Sequence, residues 1–272
     1  MRIIGRSFAV AAELAVGTRL ESRYEVLGVL GRGGFGITYE VFDTRLERRV
    51  ALKELFPPAA VRHGSRVLVE PRDRSAFVEA RERFQREAAA LARFNHPGIV
   101  RVYEVFEACN TAYLVMELLE GDSLFAVLHQ HGGTLEVDAV LDATLRIATA
   151  LDAVHEAGLL HRDVNPSNAM LERSGRVVLI DFGLARSFDD ATISLVTRAV
   201  TPGYAPPEQY AGSPDIGPTC DVYGLAATTY KLLTGVTPAN AFDRQAGRRL
   251  APPHVLRAEV PEMVSQAVLD GM

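Results

Sequence analysis

The chain has few of the features that mark a disulfide scaffold, a membrane protein or a nucleic-acid binder. Its two cysteines, Cys109 and Cys220, rule out a disulfide framework and suit a reducing cytoplasm. No apolar run is long enough to span a bilayer, and Glu13 interrupts the run 8–16 that imitates a signal peptide. The formal charge of −5 argues against binding driven by counterion release. We therefore expect a cytoplasmic protein with a poorly ordered lead-in, residues 1–17.

Lysine is equally scarce. Of the 29 lysines and arginines, only Lys53 and Lys231 are lysines. A chain that otherwise uses arginine as its surface cation keeps a lysine where a compact ammonium suits the site better than a planar guanidinium. Hydrophobic residues make up 48% of the 272 positions, which is enough for a sizeable core in one large or two smaller domains.

The most informative stretch is 159–183, LLHRDVNPSNAMLERSGRVVLIDFG. It places two carboxylates and one amide, those of Asp163, Asp181 and Asn168, at the ends of two short predicted strands. Carboxylate and amide oxygens suit a hard cation such as Mg²⁺, so Asn168 and Asp181 are predicted metal ligands. Asp163 is then left to act as a base. The structural alternative is a β-hairpin with acidic turns.

A second stretch has the spacing G-x-G-x-x-G and lies between two runs of β-type alternation, 24–30 and 37–42. A strand rather than a helix follows it, which argues against a dinucleotide-binding turn. Such a hairpin can lay its backbone N–H groups over a polyphosphate, although a purely structural hairpin would have the same pattern. The predicted phosphate-covering residues are Gly31, Arg32, Gly33, Gly34, Phe35 and Gly36.

These motifs, together with the strand Val-Ala-Leu-Lys that ends at Lys53 and the run TPGYAPPEQY, resemble the bacterial eukaryotic-like serine/threonine protein kinases. The resemblance covers residues 18–272. It implies an α+β, bilobal protein-kinase-like fold, with a small β-rich lobe that has one main helix and a mainly helical large lobe. We expect the small lobe at 18–116, the hinge at 117–121 and the large lobe at 122–272, with its C-terminal helices truncated.

The periodicity also predicts individual elements. A hairpin insertion is expected between Glu54 and Phe77, followed by a helix over 75–94. Further helices are expected to begin after Ser123, over 135–155, and at Asp221. The stretch 184–200, rich in Thr, Ser and Asp, is predicted to be a mobile segment.

The resemblance implies roles for further residues of the small lobe and hinge. Lys53 would bind the α- and β-phosphates of ATP, and Glu87 would pair with it; a solvated surface charge is the alternative for Glu87. Met116 would lie beside the adenine pocket, or serve only as core packing. Glu117 and Leu119 would offer backbone groups to the adenine edge.

The implied reaction is transfer of the ATP γ-phosphoryl group, with Mg²⁺, to serine or threonine hydroxyls of protein substrates. Asp163 would act as the base, and Thr201 would favour Ser/Thr over Tyr acceptors. The resemblance also implies autophosphorylation in signal transduction, with Thr197 as the preferred site ahead of Thr192 and Ser194. A homodimer would serve phosphorylation in trans. A longer product with a membrane anchor is compatible with this reading.

One residue departs from the family pattern. Asn165 stands where these kinases carry a lysine near the γ-phosphate, and residue 167 is Ser, so neither usual cation is present. A slow kinase is expected, whose turnover rises in an Asn165→Lys variant. The alternative is a pseudokinase that binds nucleotide as a scaffold or regulatory module.

Overall fold

A computed structural model describes residues 12–34, 36–182, 186–187, 200–211 and 216–272. Residue contacts divide these into two compact units. The first holds the described residues up to Arg93 together with Arg101–Leu118, and the second holds Phe94–Val100 and Leu119–Met272. From Leu119 onward the chain belongs entirely to the second unit. This boundary lies within the range predicted for the hinge. The segment Phe94–Val100, predicted as part of the small lobe, instead belongs to the second unit.

The first unit is built on an antiparallel sheet. Its elements are β1 Arg19–Leu20, β2 Tyr24–Gly33, β3 Gly36–Asp43, β4 Arg48–Leu55, β5 Val61–His63, β6 Arg66–Leu68, α1 Arg74–Leu91, β7 Val102–Ala108 and β8 Thr111–Met116. In the described residues six strands pair in the order β1-β2-β3-β4-β8-β7, and β5 and β6 form a hairpin of their own. Alternate residues of the central strands point into one apolar core, with Tyr39, Val41, Val50 and Leu52 at most 1% exposed.

The lead-in prediction is wrong for residues 12–17. Leu14 is 4% exposed and packs in the core of the first unit. Its backbone N–H donates to the hydroxyl of Tyr39 at 3.1 Å. Residues 1–11 lie outside the described part of the chain. The ordered first unit therefore includes residues that precede the predicted small-lobe start at 18.

The predicted insertion hairpin is confirmed. β5 and β6 pair through Val61↔Leu68 and His63↔Arg66. Gly64 has a φ of +60°, a left-handed value that suits a glycine in a tight turn. A short 3₁₀ turn, Pro71–Asp73, then leads into α1, which begins one residue before the predicted helix and ends three residues earlier.

The second unit is mainly helical. Its elements are β9 Gly121–Ser123, α2 Leu124–Gln130, α3 Val137–Glu156, β10 Leu159–Leu160, β11 Ala169–Glu172, β12 Val177–Leu179, β13 Arg186–Ser187, α4 Pro207–Ala211, α5 Thr219–Thr234, α6 Ala241–Gln245, α7 Pro253–Leu256 and α8 Glu262–Asp270. The helix predicted after Ser123 is confirmed as α2. Ser123 is its N-cap, because the Ser123 hydroxyl accepts from Ala126 N at 3.2 Å. The described part of the first unit has one α-helix beside its sheet, and the second unit is mainly helical, so the predicted fold class is confirmed.

Helices α3 and α5 supply much of the second unit's core. Val140, Ile147, Ala150 and Val154 form the buried stripe of α3, as its helical spacing predicts. Helix α5 is buried over most of its length and ends at Gly235, whose φ of +74° closes the helix in the left-handed region. No helix within the described residues is both long and apolar enough to cross a membrane.

Candidate active site

The glycine-rich stretch forms the turn between β2 and β3. Gly33 pairs with Gly36 across the ladder, and Phe35 lies outside the described residues. A Cβ on Gly36 would lie 2.3 Å from the Glu54 carbonyl oxygen, so only glycine fits there. The same position lies 3.9 Å from Cε of Lys53, which places this lysine beside the hairpin. The structure thus brings together two of the predicted phosphate-binding elements.

The rest of this hairpin is exposed. Gly31, Arg32, Gly33 and Gly34 all lie on the surface. The Arg32 side chain donates to the Glu13 carboxylate at 2.7 Å. The predicted phosphate-covering arginine is therefore paired with a residue of the ordered lead-in, a contact that the glycine pattern gave no reason to expect.

Glu87 lies in the C-terminal half of α1 and is half-buried. Its pairing with Lys53 stays a prediction. Met116 is the last residue of β8, is 7% exposed and pairs with Ala51. It therefore packs in the core, whether or not it also lies beside the adenine.

One of the two predicted hinge residues already has a backbone partner for its N–H. The Glu117 N–H donates to Arg101 O at 2.9 Å, so a bond from Glu117 to an adenine would have to use its carbonyl. Leu119 is half-buried and begins the longer segment of the second unit, Leu119–Met272.

In the second unit, β10 leads into the predicted catalytic loop. His161 is fully buried, its Nε2 lies 3.0 Å from Ile180 O, and its ring packs against Phe182 with centroids 4.5 Å apart. Arg162 adopts a φ of +64°, a conformation that costs energy for a side chain with a Cβ. The loop is therefore held in a defined, strained shape.

Asp221, at the start of α5, holds this shape. Its carboxylate accepts the backbone N–H of His161 at 2.9 Å and that of Arg162 at 2.6 Å, and it lies 2.8 Å from His155 Nε2. Burial alone would raise its pKa, but these hydrogen bonds keep the pKa of Asp221 below its usual range. The sequence pattern predicts Asp221 only as the start of a helix. The sequence feature that could have indicated its role in holding the loop is a carboxylate at the start of an otherwise apolar helix.

Asp163 is the centre of the second unit's polar cluster. Its Oδ1 accepts from Thr201 Oγ1 at 2.6 Å and from Asn165 Nδ2 at 2.9 Å. Its Oδ2 accepts from Asn168 Nδ2 at 2.7 Å. The structure therefore brings three of the predicted site residues together around the carboxylate of a fourth.

Asn165 is more deeply placed than its sequence position suggested. It is 5% exposed, and its Oδ1 accepts from Ser167 N at 2.9 Å while its nitrogen donates to Asp163. Both ends of the amide are thus bonded. Asn165 holds the carboxylate as a neutral donor where the family carries a cation.

The donor set of Asn168 and Asp181 fits a Mg²⁺ ion. The two residues lie at the same end of the β11–β12 ladder, because Ala169 pairs with Leu179 and Ile180 N donates to Asn168 O at 2.9 Å. The Asn168 nitrogen is bonded to Asp163, so its side-chain oxygen is the atom suited to a cation. Among the described residues no cluster of three or more His, Cys, Asp or Glu side chains could hold a metal alone.

The predicted phosphorylation sites Thr192, Ser194 and Thr197 lie outside the described residues. Within the segment predicted to be mobile, residues 186–187 form β13, which pairs antiparallel with β10. Thr201, which follows the segment, is half-buried and contacts Asp163 as described above.

Curated relatives support the resemblance of this chain to serine/threonine protein kinases. The chain is 36% identical over 259 residues to a probable serine/threonine-protein kinase of Streptomyces coelicolor, a match that covers 90% of this chain and 36% of that protein. It is 37% identical over 229 residues to the serine/threonine-protein kinase PknA of Mycobacterium tuberculosis, covering 82% of this chain and 49% of PknA. The chain therefore spans about a third to a half of the length of these curated relatives.

A solved structure, PpkA-294 in its apo form, matches with a TM-score of 0.79 and 29% identity over 96% of this chain and 93% of that one. The family model for the protein kinase domain matches residues 24–258. The motifs from the glycine hairpin to the T-P-G-Y run fall inside that match, and this chain belongs to the protein kinase domain family.

Proposed function

We propose that this domain is a serine/threonine protein kinase, which transfers the γ-phosphoryl group of ATP to hydroxyl groups of protein substrates. The observation that carries the proposal is the Asp163 carboxylate, held by Thr201, Asn165 and Asn168 at the end of β10. A base must be fixed in direction before it can take a proton from a hydroxyl.

The step balances as follows. The acceptor hydroxyl gives its proton to the Asp163 carboxylate, its oxygen bonds to the γ-phosphorus, and the bond between that phosphorus and the β–γ bridging oxygen breaks, so that ADP leaves. Thr201 Oγ1 donates to the same carboxylate oxygen that Asn165 contacts. These bonds hold the carboxylate in place, and positioning supplies much of the catalysis of phosphoryl transfer.

The charged groups have complementary roles. Lys53 lies next to the glycine hairpin and is proposed to bind the phosphates, with Glu87 as its partner. Asn168 and Asp181 are proposed to hold Mg²⁺, which when bound neutralises charge on the phosphate oxygens. Met116, the Glu117 carbonyl and Leu119 are proposed to contact the adenine.

The relatives favour catalysis over the pseudokinase alternative, because they are named serine/threonine-protein kinases. Lys53, Asp163, Asn168 and Asp181 are all present in this chain, so each proposed charge and proton role has its residue. We further propose that the domain works in the cytoplasm, where ATP is available, and that it phosphorylates its own activation segment, with a homodimer for transfer in trans.

The proposal is tested by incubating the purified chain with γ-labelled ATP, Mg²⁺ and a generic protein substrate, followed by phosphosite mapping. The proposal is supported if the natural protein labels serine and threonine residues and the Asp163→Asn variant does not. Arg146, in an exposed ion pair with Asp142, gives a control variant, Arg146→Gln, that should retain transfer. Binding of Mg-ATP with no transfer under any condition would instead establish the pseudokinase.

A further inference from the structure

Beside Lys53 lies a charged residue that the proposed mechanism does not use. Glu54 is fully buried, and so is most of Arg62 of the insertion hairpin, which forms an ion pair with it. The carboxylate also accepts from the hydroxyls of Tyr113 at 2.8 Å and Tyr39 at 3.0 Å. A buried ion pair of this kind survives only if its remaining donors and acceptors are satisfied.

Arg62 satisfies its other donors on two separate segments. Its Nε donates to Ala12 O at 2.7 Å and its Nη1 to Ser65 O at 3.1 Å, while the guanidinium lies 4.9 Å from the Phe56 ring centroid. Burial alone would lower the pKa of Arg62, but the hydrogen bond and charge of Glu54 raise it above the ordinary value. One guanidinium thus ties the lead-in and the insertion to β4.

The backbone of Glu54 is equally constrained. Its carbonyl oxygen lies directly under Gly36, where a Cβ would approach to 2.3 Å. The neighbouring Lys53 pairs with Thr38 on one side and Leu114 on the other. A shift of Glu54 toward solvent would therefore move both the glycine hairpin and the lysine beside it, because closely packed backbone leaves little room for independent adjustment.

We propose that Arg62 and Glu54 are positioning residues for nucleotide binding: the insertion hairpin, through their buried pair, fixes the strand that presents Lys53 and the floor of the glycine hairpin. This inference rests on the proposed function, since it assigns Lys53 and the hairpin to the phosphates. It gives the insertion a direct part in nucleotide affinity. It also explains why residues 12–14 are ordered, because Arg62 and Tyr39 bind their backbone.

The test compares Arg62→Met with the matched control Arg49→Met. Arg49 lies on β4, the strand of Lys53 and Glu54, and pairs with Glu40, but its side chain is 68% exposed. Binding of a non-hydrolysable ATP analogue, AMP-PNP, with Mg²⁺ is measured by calorimetry well below each variant's unfolding temperature. We expect the dissociation constant to rise about tenfold or more in Arg62→Met, because losing one hydrogen bond to a charged group, such as that from Lys53 to a phosphate, weakens binding by about that factor. Arg49→Met should change it less than about twofold.

Two further variants keep the result decisive. Arg62→Lys keeps the charge but lacks the fork that reaches Glu54, Ala12 and Ser65 together, so weaker binding is expected even if Arg62→Met does not fold. Adding Glu54→Gln to Arg62→Met removes the stranded charge but does not restore the pair, so the weak binding should persist; recovery of the natural affinity would show that the stranded charge, and not the lost pairing, weakened binding. Unchanged AMP-PNP affinity in Arg62→Met, or in Arg62→Lys if only that variant folds, would leave the pair a purely structural one and overturn the inference. Failure of the natural protein to bind AMP-PNP would overturn the proposed function instead.

Discussion

Replacing Asn165 tests how this kinase domain positions its proposed base, Asp163, when the usual lysine near the γ-phosphate is replaced by a neutral amide. The amide makes three hydrogen bonds and is 5% exposed. Its nitrogen donates to Asp163 Oδ1 at 2.9 Å and to Asp163 O at 3.1 Å, and its oxygen accepts from Ser167 N at 2.9 Å. Asn165→Ala removes all three bonds. Asn165→Lys keeps a donor and adds a positive charge, but it leaves the Ser167 N–H without its acceptor.

The magnitudes follow from these contacts. A hydrogen bond to a charged group contributes about 1.5–3 kcal/mol, so losing the one to Asp163 should lower kcat by about 10- to 10²-fold in Asn165→Ala. A cation near the transferred phosphoryl group is worth about 3 kcal/mol, and the lost Ser167 bond costs about 1 kcal/mol. The net expectation for Asn165→Lys is therefore a gain of about tenfold or more in kcat. The KM for ATP should change little in either variant, because Asn165 is not among the proposed nucleotide-binding residues.

The assay is steady-state transfer from ATP to a peptide substrate, with kcat and the KM for ATP determined separately for each variant. The pH profile of kcat is recorded as well, because it reports the protonation of the base and would not respond to a general loss of folded protein. An Asn165→Ala variant with the natural kcat and pH profile would refute the positioning of Asp163 by the amide. A slower Asn165→Lys variant would show that the bond to Ser167 outweighs the added charge.

The remaining predictions concern charge, modification and pH. Lys53→Met and Asp181→Asn should each nearly abolish transfer from labelled ATP, and most of the activity surviving in either would contradict the mechanism. Mass spectrometry of the active protein should find phosphate in the segment before the T-P-G-Y run, with Thr197 preferred; its absence there would count against autoactivation. Because the pKa of Asp221 is lowered, its contribution to stability is present at neutral pH and lost as the pH falls below the ordinary value of 3.8. In urea titrations Asp221→Asn should be less stable at pH 7 and lose less on acidification than the natural protein, and parallel pH curves for the two would contradict this.

The fold and the catalytic loop could be predicted because their signals are local. The spacing of Asp163 and Asn168 and the short strands around Asp181 place these groups at neighbouring strand ends, and the structure has them there. The run of β-type residues that begins at Gly36 likewise predicted a strand–turn–strand hairpin and not a helix-opening turn. In each case residues close in sequence carry the information.

What could not be predicted depends on contacts between distant segments. Leu14 stands in a short stretch without periodicity, so nothing in the sequence marks it as a core residue. Glu54 resembles any exposed strand residue until Tyr39, Arg62 and Tyr113 are known to surround it. Nothing in the sequence indicates that the N–H of Glu117 donates to the carbonyl of Arg101, 16 residues away. Propensity and pattern hold no information on such partners.

The assignment of Phe94–Val100 to the second unit has a consequence for how the chain is made on the ribosome. Ile99 and Val100 are 2% and 3% exposed, and the segment pairs with β12, where Leu179 accepts from Val100 N at 3.0 Å and donates to Gly98 O at 2.8 Å. Leu179 is synthesised about 80 residues later, which at 5–20 residues per second is about 4–16 s. During that interval β7 and β8 can complete the sheet of the first unit. Ile99 and Val100, which lie in the sequence between the two segments of that unit, are not yet covered by β12. A nascent chain stalled before β12 should therefore expose this segment to proteases and chaperones, and one stalled well beyond it should not.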